Sequence, residues 1–418
     1  MSSSDAAANS QKQEGILLPL KTSRPFTQLW LGQTLSMVGD NILFVVVPIV
    51  IYSMSGSPLS MGLFMTVVTI PQIVLLPFTG ILVDRFSRIH LMILTDSIRF
   101  LLLAALTVFY VEFGINMPVL YTVGVIYGAM DALFQPAFSA ARAEVFTPDI
   151  RNAANSLTQA SQTGARLLGP TIGGFVMSFG SPAWGLGIDA ATFLISIGSL
   201  LTLKLETPKT ESHLHGLRRF TTEMLGGYRA LRKHAWLWIT ILVFSLVNVA
   251  FGGIILVLLP WLIKVHLHMP AYAYGLVTSG EGIGALLAAW VFGRKKSWHH
   301  RGLVAYTGAI ISAASLTSLA FIHWLPVIIL VSGFSGAGIM VFGLVWEVSL
   351  QELVPTESFG RVVSLDMFGS ISLMPVGYVA LGWIAGVAGG TMTITGCGLA
   401  MFAILAAALA VPAIRRFQ

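Results

Sequence analysis

Asp40, Asp131, Asp189, Glu281 and Glu347 all fall inside long apolar runs, and so do Arg99 and Arg166. An ionised side chain is expensive in hydrocarbon, so each must face a cavity or a partner. Removal from water favours the neutral acid. Such a carboxyl can take a proton on one side of a barrier and release it on the other. A proton and a cationic solute competing for the same carboxylate would then exchange across the membrane. Asp40, near mid-depth of the first run at about 1.5 Å per helical residue, is the first expectation for proton coupling, followed by Asp131 and Glu281. Glu281 stands between Gly280 and Gly282, small neighbours that let another helix or a solute come close. Asp131 and Arg166 flank the turn near Pro148 at similar distances, so a helical hairpin brings them to one depth. They are expected to pair, or to exchange pairing during transport. Asp96 and Arg99 share one helix face by their spacing and read as a structural pair. Asp189 lies nearer a helix end and is a weaker candidate. The nine histidines fall in loops or at interfaces and take no such role. Met37, Phe44, Met65, Phe134, Phe244, Phe251 and Trp346 could line an apolar pocket, although apolar helix surface is their default.

The elements that must position these residues follow from hydropathy. Of the 418 residues, 55% are hydrophobic and 10% are charged, against about 25% charged in soluble domains. Apolar runs at approximately 28–52, 58–82, 89–112, 118–140, 153–180, 183–205, 235–263, 271–293, 302–323, 326–352, 361–386 and 391–414 are each long enough to cross about 30 Å of hydrocarbon. They lack the alternation of barrel strands, so helices are expected. The fold expectation is all-α and integral to the membrane: twelve transmembrane helices in two six-helix bundles. A polar tail at 1–25 precedes an N-terminal bundle at 26–205. A linker at 206–234, with an amphipathic stretch around Leu217 to Leu231, leads to a C-terminal bundle at 235–418. Lys and Arg collect in both tails, in the linker and in alternate loops. Only Lys264 falls on the opposite face, with Arg99 and Arg166 inside runs. That asymmetry predicts a cell-membrane protein with both termini in the cytoplasm. It also assigns the net charge of +6 to membrane topology and lipid contact, not to nucleic acid. The single Cys397 excludes an intrachain disulfide framework or a cysteine-rich metal site. No phosphate loop, zinc-ligand cluster or Ser/His/Asp arrangement is evident in the runs, which argues against a membrane-embedded enzyme or sensor. No cofactor beyond a proton gradient is expected.

The two halves look related. Trp30 and Trp238 open corresponding runs, Asn41 and Asn248 fall at similar depth within them, and Glu144…Arg151 is echoed by Glu352…Arg361. Parallel six-helix repeats of this kind characterise one large transporter class. Between the second and third runs stands Gly80-Ile-Leu-Val-Asp84-Arg85-Phe-Ser-Arg88. The fifth run carries Gly164-x-x-x-x-Gly169-Pro170-x-x-Gly173-Gly174, and the first carries Trp30-x-Gly32-Gln33 through Gly39-Asp40. Together these stretches resemble the major facilitator superfamily, in particular its bacterial branch of macrolide-type drug exporters and siderophore exporters. The resemblance implies alternating access and a cavity lined by helices 1, 4, 7 and 10, which would make Asn41, Asn248, Trp346 and Glu347, with Arg166, available to cargo. It also implies an inner latch of Gly80, Asp84, Arg85, Arg88 and Arg142 closing near Arg361. The second-half counterpart, Gly293-Arg294-Lys295-Lys296, lacks the aspartate, so the latch should be asymmetric. The fifth-run glycines and Pro170 suit either close packing or a moving hinge. The expected function is a monomeric proton-coupled antiporter exporting amphipathic small molecules. The alternatives are a dedicated exporter of a native metabolite such as a siderophore, or a lipid transporter.

Overall fold

The computed structural model describes residues 15–203, 235–294 and 300–415. The linker expectation at 206–234, and with it the amphipathic stretch, lies outside the described residues, as do most of the tail, Lys295 and Lys296. The side chains of Asp84 and Arg361, and with them the expected latch pairing, also lie outside the described residues.

The described chain is helical and without strands. After a short turn, Leu18–Thr22, come α1 (Arg24–Ser55), α2 (Pro58–Arg85), α3 (Arg88–Phe113), α4 (Met117–Val145), α5 (Arg151–Phe179) and α6 (Pro182–Leu201). The second half holds α7 (Ala235–Gly252, continued to His266), α8 (Ala271–Phe292), α9 (Arg301–Ser318), α10 (Leu325–Leu353), α11 (Thr356–Ser372 and Met374–Ala388) and α12 (Gly390–Ala410). Helix starts follow local chemistry. Ser23 and Asn116 accept the backbone N–H groups of Phe26 and Val119 at 3.2 and 3.1 Å, filling the orphan donors of a first turn. Proline stands at the start of α2, α4, α6 and α10, where its missing N–H costs nothing. Gly56 and Gly389 leave α1 and α11 at φ of 61° and 92°, which a side chain would resist.

Among the described residues, eleven helices are long and apolar enough to cross a membrane by themselves. The helix not among them, α5, carries Asn152, Asn155, Ser156, Gln159, Gln162, Thr163 and Arg166 in its first half. It completes the twelve by packing between α1 and α8, with Asn155, Ser156, Gln159 and Thr163 of its polar stripe lining a cavity.

Among the described residues the halves meet at the end opposite the termini. Tyr52 Oη donates to the Val257 carbonyl at 2.5 Å, and Thr66 Oγ1 to the Pro375 carbonyl at 2.8 Å. The Tyr272 N–H donates to Ser178 Oγ at 2.8 Å, while the Thr171 and Ser279 hydroxyls are 2.7 Å apart. Glycines let the backbones touch: Gly62 lies on the Tyr378 carbonyl, Gly275 on Pro170, and Gly382 on Pro58 and Leu59. Two irregularities lie in this seam. The end of α7 winds as π-helical turns at Gly253–Leu258 and Leu262–His266, on either side of Pro260. Proline has no N–H for the ladder, and beside it the Val257 carbonyl receives Tyr52. The break of α11 at Leu373 falls where the contact with α2 ends. Beyond it, Thr356–Ser372 packs on α7 and α10 of its own half. Toward the end that carries the termini, Arg142, Asn155, Gln159, Thr163 and Gly164 line a cavity of about 790 Å³ that reaches Leu286 of α8.

Candidate functional site

A polar network fills the middle of the N-terminal half. Arg99 on α3 is its centre: its side chain is only 2% exposed. It donates to Asp131 Oδ1 on α4 at 3.2 Å and lies 3.7 Å from Asp96 Oδ1, one turn back on α3. The rings of Tyr127, Phe134 and Phe193 lie 4.8 to 5.5 Å from its guanidinium carbon. Aromatic faces attract a cation and exclude water from it. Asp131 also accepts from Gln72 Nε2 on α2 at 3.0 Å. Tyr127, one turn before Asp131, donates its hydroxyl to Asp40 Oδ1 on α1. On the far side, Asp96 accepts from Ser196 Oγ of α6 at 2.7 Å, and Ser196 accepts from Gln33 Nε2 of α1 at 2.8 Å. Asp189, fully buried on α6, accepts from Thr192 at 3.2 Å and packs on the bare backbone of Gly39, beside Asp40. The network thus ties α1, α2, α3, α4 and α6 together. It gathers Asp40, Asp96, Asp131 and Asp189 around one described arginine.

Beside it lies a cavity of about 280 Å³. Asp40, Tyr127 and Asp131 form part of its wall. The rest is apolar, including Phe44, Phe64, Met65 and Leu106. Phe44 and Met65, read from sequence as possible pocket residues, both line it. Phe134 instead covers Arg99, and Phe244 stacks on Phe342 at 3.5 Å.

The expected pairing of Asp131 with Arg166 is not formed. Asp131 instead turns into its own bundle toward Arg99. Arg166 is exposed on α5, two turns beyond Gln159. The pairing of Asp96 with Arg99 is present but is one edge of a larger cluster. Sequence reading missed Arg99 as the shared partner of carboxylates from two helices, and missed Tyr127. It also missed Asp366 on α11, whose carboxylate accepts from Trp346 Nε1 at 2.9 Å. The signal for Asp366 was available, since it too is an acid within an apolar run.

The remaining candidates separate by place. Glu281 belongs to the other half, on α8, with its side-chain stem against Gly336 of α10. Glu347 is exposed and accepts from Gln351 at 2.8 Å. Asn248 is half-buried on α7. Asn41 donates to the Met37 carbonyl at 2.7 Å and faces α5 at Gly169. Gly173 lies on the backbone of Ile42, and Gly174 meets Tyr272 across the seam, whereas nothing packs on Gly164. The glycine motif therefore packs α5 against both neighbours, and its first member stands where α5 and α8 part. Of the residues expected in the latch, Arg88 pairs with Glu144 at 2.7 Å, Arg85 lies over Phe86, and Arg142 donates to Asn155 Oδ1 at 3.1 Å.

The sequence matches the Major Facilitator Superfamily over residues 29–375. The chain belongs to that family. It is a multi-pass membrane transporter built as two six-helix halves, and superfamily relatives agree. It is 24% identical over 91% of its length to the multidrug efflux pump Tap of Mycolicibacterium fortuitum, of which it covers 94%. It is 25% identical over 96% of its length to the enterobactin exporter EntS of Citrobacter koseri, again covering 94%. Among solved structures, a bacterial homologue of the iron transporter ferroportin in an inward-facing state shares the fold at a TM-score of 0.70 and 18% identity, with 93% of this chain and 99% of that one covered. The nucleoside transporter NupG superposes at 0.74 with 14% identity, over 94% and 100% of the two chains.

Proposed function

We propose that this superfamily member is a proton-coupled antiporter that exports amphipathic small molecules, with the buried acids of the N-terminal half as its proton-binding site. The observation that carries this reading is that Asp40 and Asp131 line one cavity while being held by Tyr127 and Arg99. Four carboxyls share one guanidinium, Asp96 and Asp189 fully buried and Asp40 and Asp131 half-buried at the cavity wall, so ionising all four would leave an excess of negative charge. A proton or a cationic cargo relieves that excess, and the two compete for it. The relative named a multidrug efflux pump supports the choice of cargo.

The basic loops support an orientation with the termini in the cytoplasm. On that orientation the seam closes the outer face and the opening faces inward, so cargo enters from the cytoplasm. In the alternate state Asp84 and Arg361 would latch the inner ends. Asp84 is the one aspartate of the two charged turns, so its loss should slow switching more than it weakens cargo binding. No cofactor other than the proton gradient takes part, and one chain suffices.

Purified protein in proteoliposomes with an imposed pH gradient tests the coupling. Wild type should drive accumulation of a cationic dye, and Asp40→Asn should lose the gradient-driven component while retaining exchange of dye for dye. Full gradient-driven transport by Asp40→Asn would remove that residue from the coupling role, with Asp131→Asn and Glu281→Gln next in line.

A second reading is favoured by one observation. Arg166 is exposed on α5 and forms no ion pair among the described residues, so it is available to an anionic cargo. The relative named an enterobactin exporter fits that direction. A substrate panel in an efflux-deficient host, with and without a protonophore, separates the readings. An anion lost on Arg166→Gln, with uncharged compounds spared, would favour the second.

A further inference from the structure

Lys264 is the one basic residue that the loop pattern leaves on the face opposite the termini. It sits in the π-helical end of α7 and is half-buried there. It makes no salt bridge among the described residues. Its surroundings are a cavity of about 420 Å³ that straddles the seam. The N-terminal half supplies Ile49, Ser53, Tyr110, Met177 and Ser178 to the wall, and the C-terminal half supplies Lys264 and Pro270. No carboxylate lines it. Its polar side offers donors instead. Lys264 brings an ammonium. Ser178 Oγ accepts from the Tyr272 N–H at 2.8 Å and keeps its own proton to give. The Tyr110 hydroxyl has no hydrogen-bond partner among the described residues. Opposite them the wall is aliphatic and thioether. An ammonium beside two hydroxyls and an apolar wall, with no counter-ion among the described residues, is complementary to an anion that carries an apolar body.

We propose that this cavity binds an amphipathic anion, a carboxylate or phosphate oxygen on an acyl chain, and that the bound anion holds the two halves together at this end. The carboxylate or phosphate takes Lys264, Tyr110 and Ser178, and the chain lies along Ile49 and Met177. Both halves build the wall, so the site exists only while the seam is closed, and occupancy stabilises that conformation by mass action. The site is separate from the acids around Arg99, so its failure would leave the coupling assignment standing, and the reverse.

The test uses the full-length protein in nanodiscs of zwitterionic lipid, with empty nanodiscs subtracted. Radiolabelled myristate is the probe, and myristyl alcohol is the uncharged competitor. Saturable binding of myristate is expected, weakened about tenfold by Lys264→Gln and restored by Lys264→Arg. Myristyl alcohol should compete poorly. Ser53→Phe, which fills the cavity without touching the charge, should also abolish binding. Adding phosphatidylglycerol to the nanodisc distinguishes the source. Displacement of myristate in wild type identifies a leaflet lipid as an occupant of the same site, and no displacement identifies a free single-chain anion. Equal myristate affinity in Lys264→Gln, or equal competition by the alcohol, would overturn the proposal, because the cavity would then be merely apolar.

Discussion

Arg99 shows what a single buried cation is worth in this protein. It is enclosed by three aromatic rings, and its Nε has no partner, so its charge is balanced only by carboxylates. Removing one member of such a cluster leaves the others uncompensated, at a cost of about 3–5 kcal/mol. Arg99→Leu is therefore expected to lower the thermal unfolding midpoint in detergent sharply. Replacing Asp96 and Asp131 by leucine in the same variant should recover part of the loss, since an apolar set of similar volume avoids burying charge. A triple variant no more stable than Arg99→Leu would show that the carboxylates do not depend on the arginine. The sequence made half of this cluster legible. Helical spacing puts Asp96 beside Arg99, because residues three apart share a face. Depth along a helix was legible too, which is why Asp131 and Arg166 looked like partners. Rotation about the helix axis was not, and it is rotation that turns Asp131 toward α3 and leaves Arg166 exposed on α5.

At the scale of elements, α5 and α8 form the seam that distinguishes the two ends of the molecule. They touch from Ser178 and Tyr272 to Leu167 and Ser279, then separate at Gly164. The Thr171 and Ser279 oxygens are 2.7 Å apart, so cysteines at these two positions stand within reach of a disulfide. In a Cys397→Ser background, Thr171→Cys with Ser279→Cys is expected to crosslink on mild oxidation, to stop transport, and to recover on reduction. Unimpaired transport by the crosslinked form would mean that the α5–α8 seam never opens in the cycle. The apolar helices could be read from hydropathy because lipid imposes a simple rule on exposed surface. The seam could not, because small and hydroxylated residues serve packing, hinges and hydrogen bonds alike.

For the whole molecule, the two-half architecture was written in the parallel positions of Trp30 and Trp238 and of Asn41 and Asn248. Which end of the pair closes was not, because both closures use the same helices and differ by a small free energy between packed states. The polar helix α5 has one more effect, and it is a matter of parity. Eleven crossings would leave the two chain ends on opposite faces of the membrane. With α5 counted, every later helix reverses direction, and Arg415 returns to the face on which Lys21 and Arg24 begin. Without it, Arg294 and Arg301 would be stranded on the far face and Lys264 would join the near one, the opposite of the basic-loop pattern. The least lipid-like segment of the chain, accepted by its neighbours and not by lipid, thus fixes the direction of every segment after it.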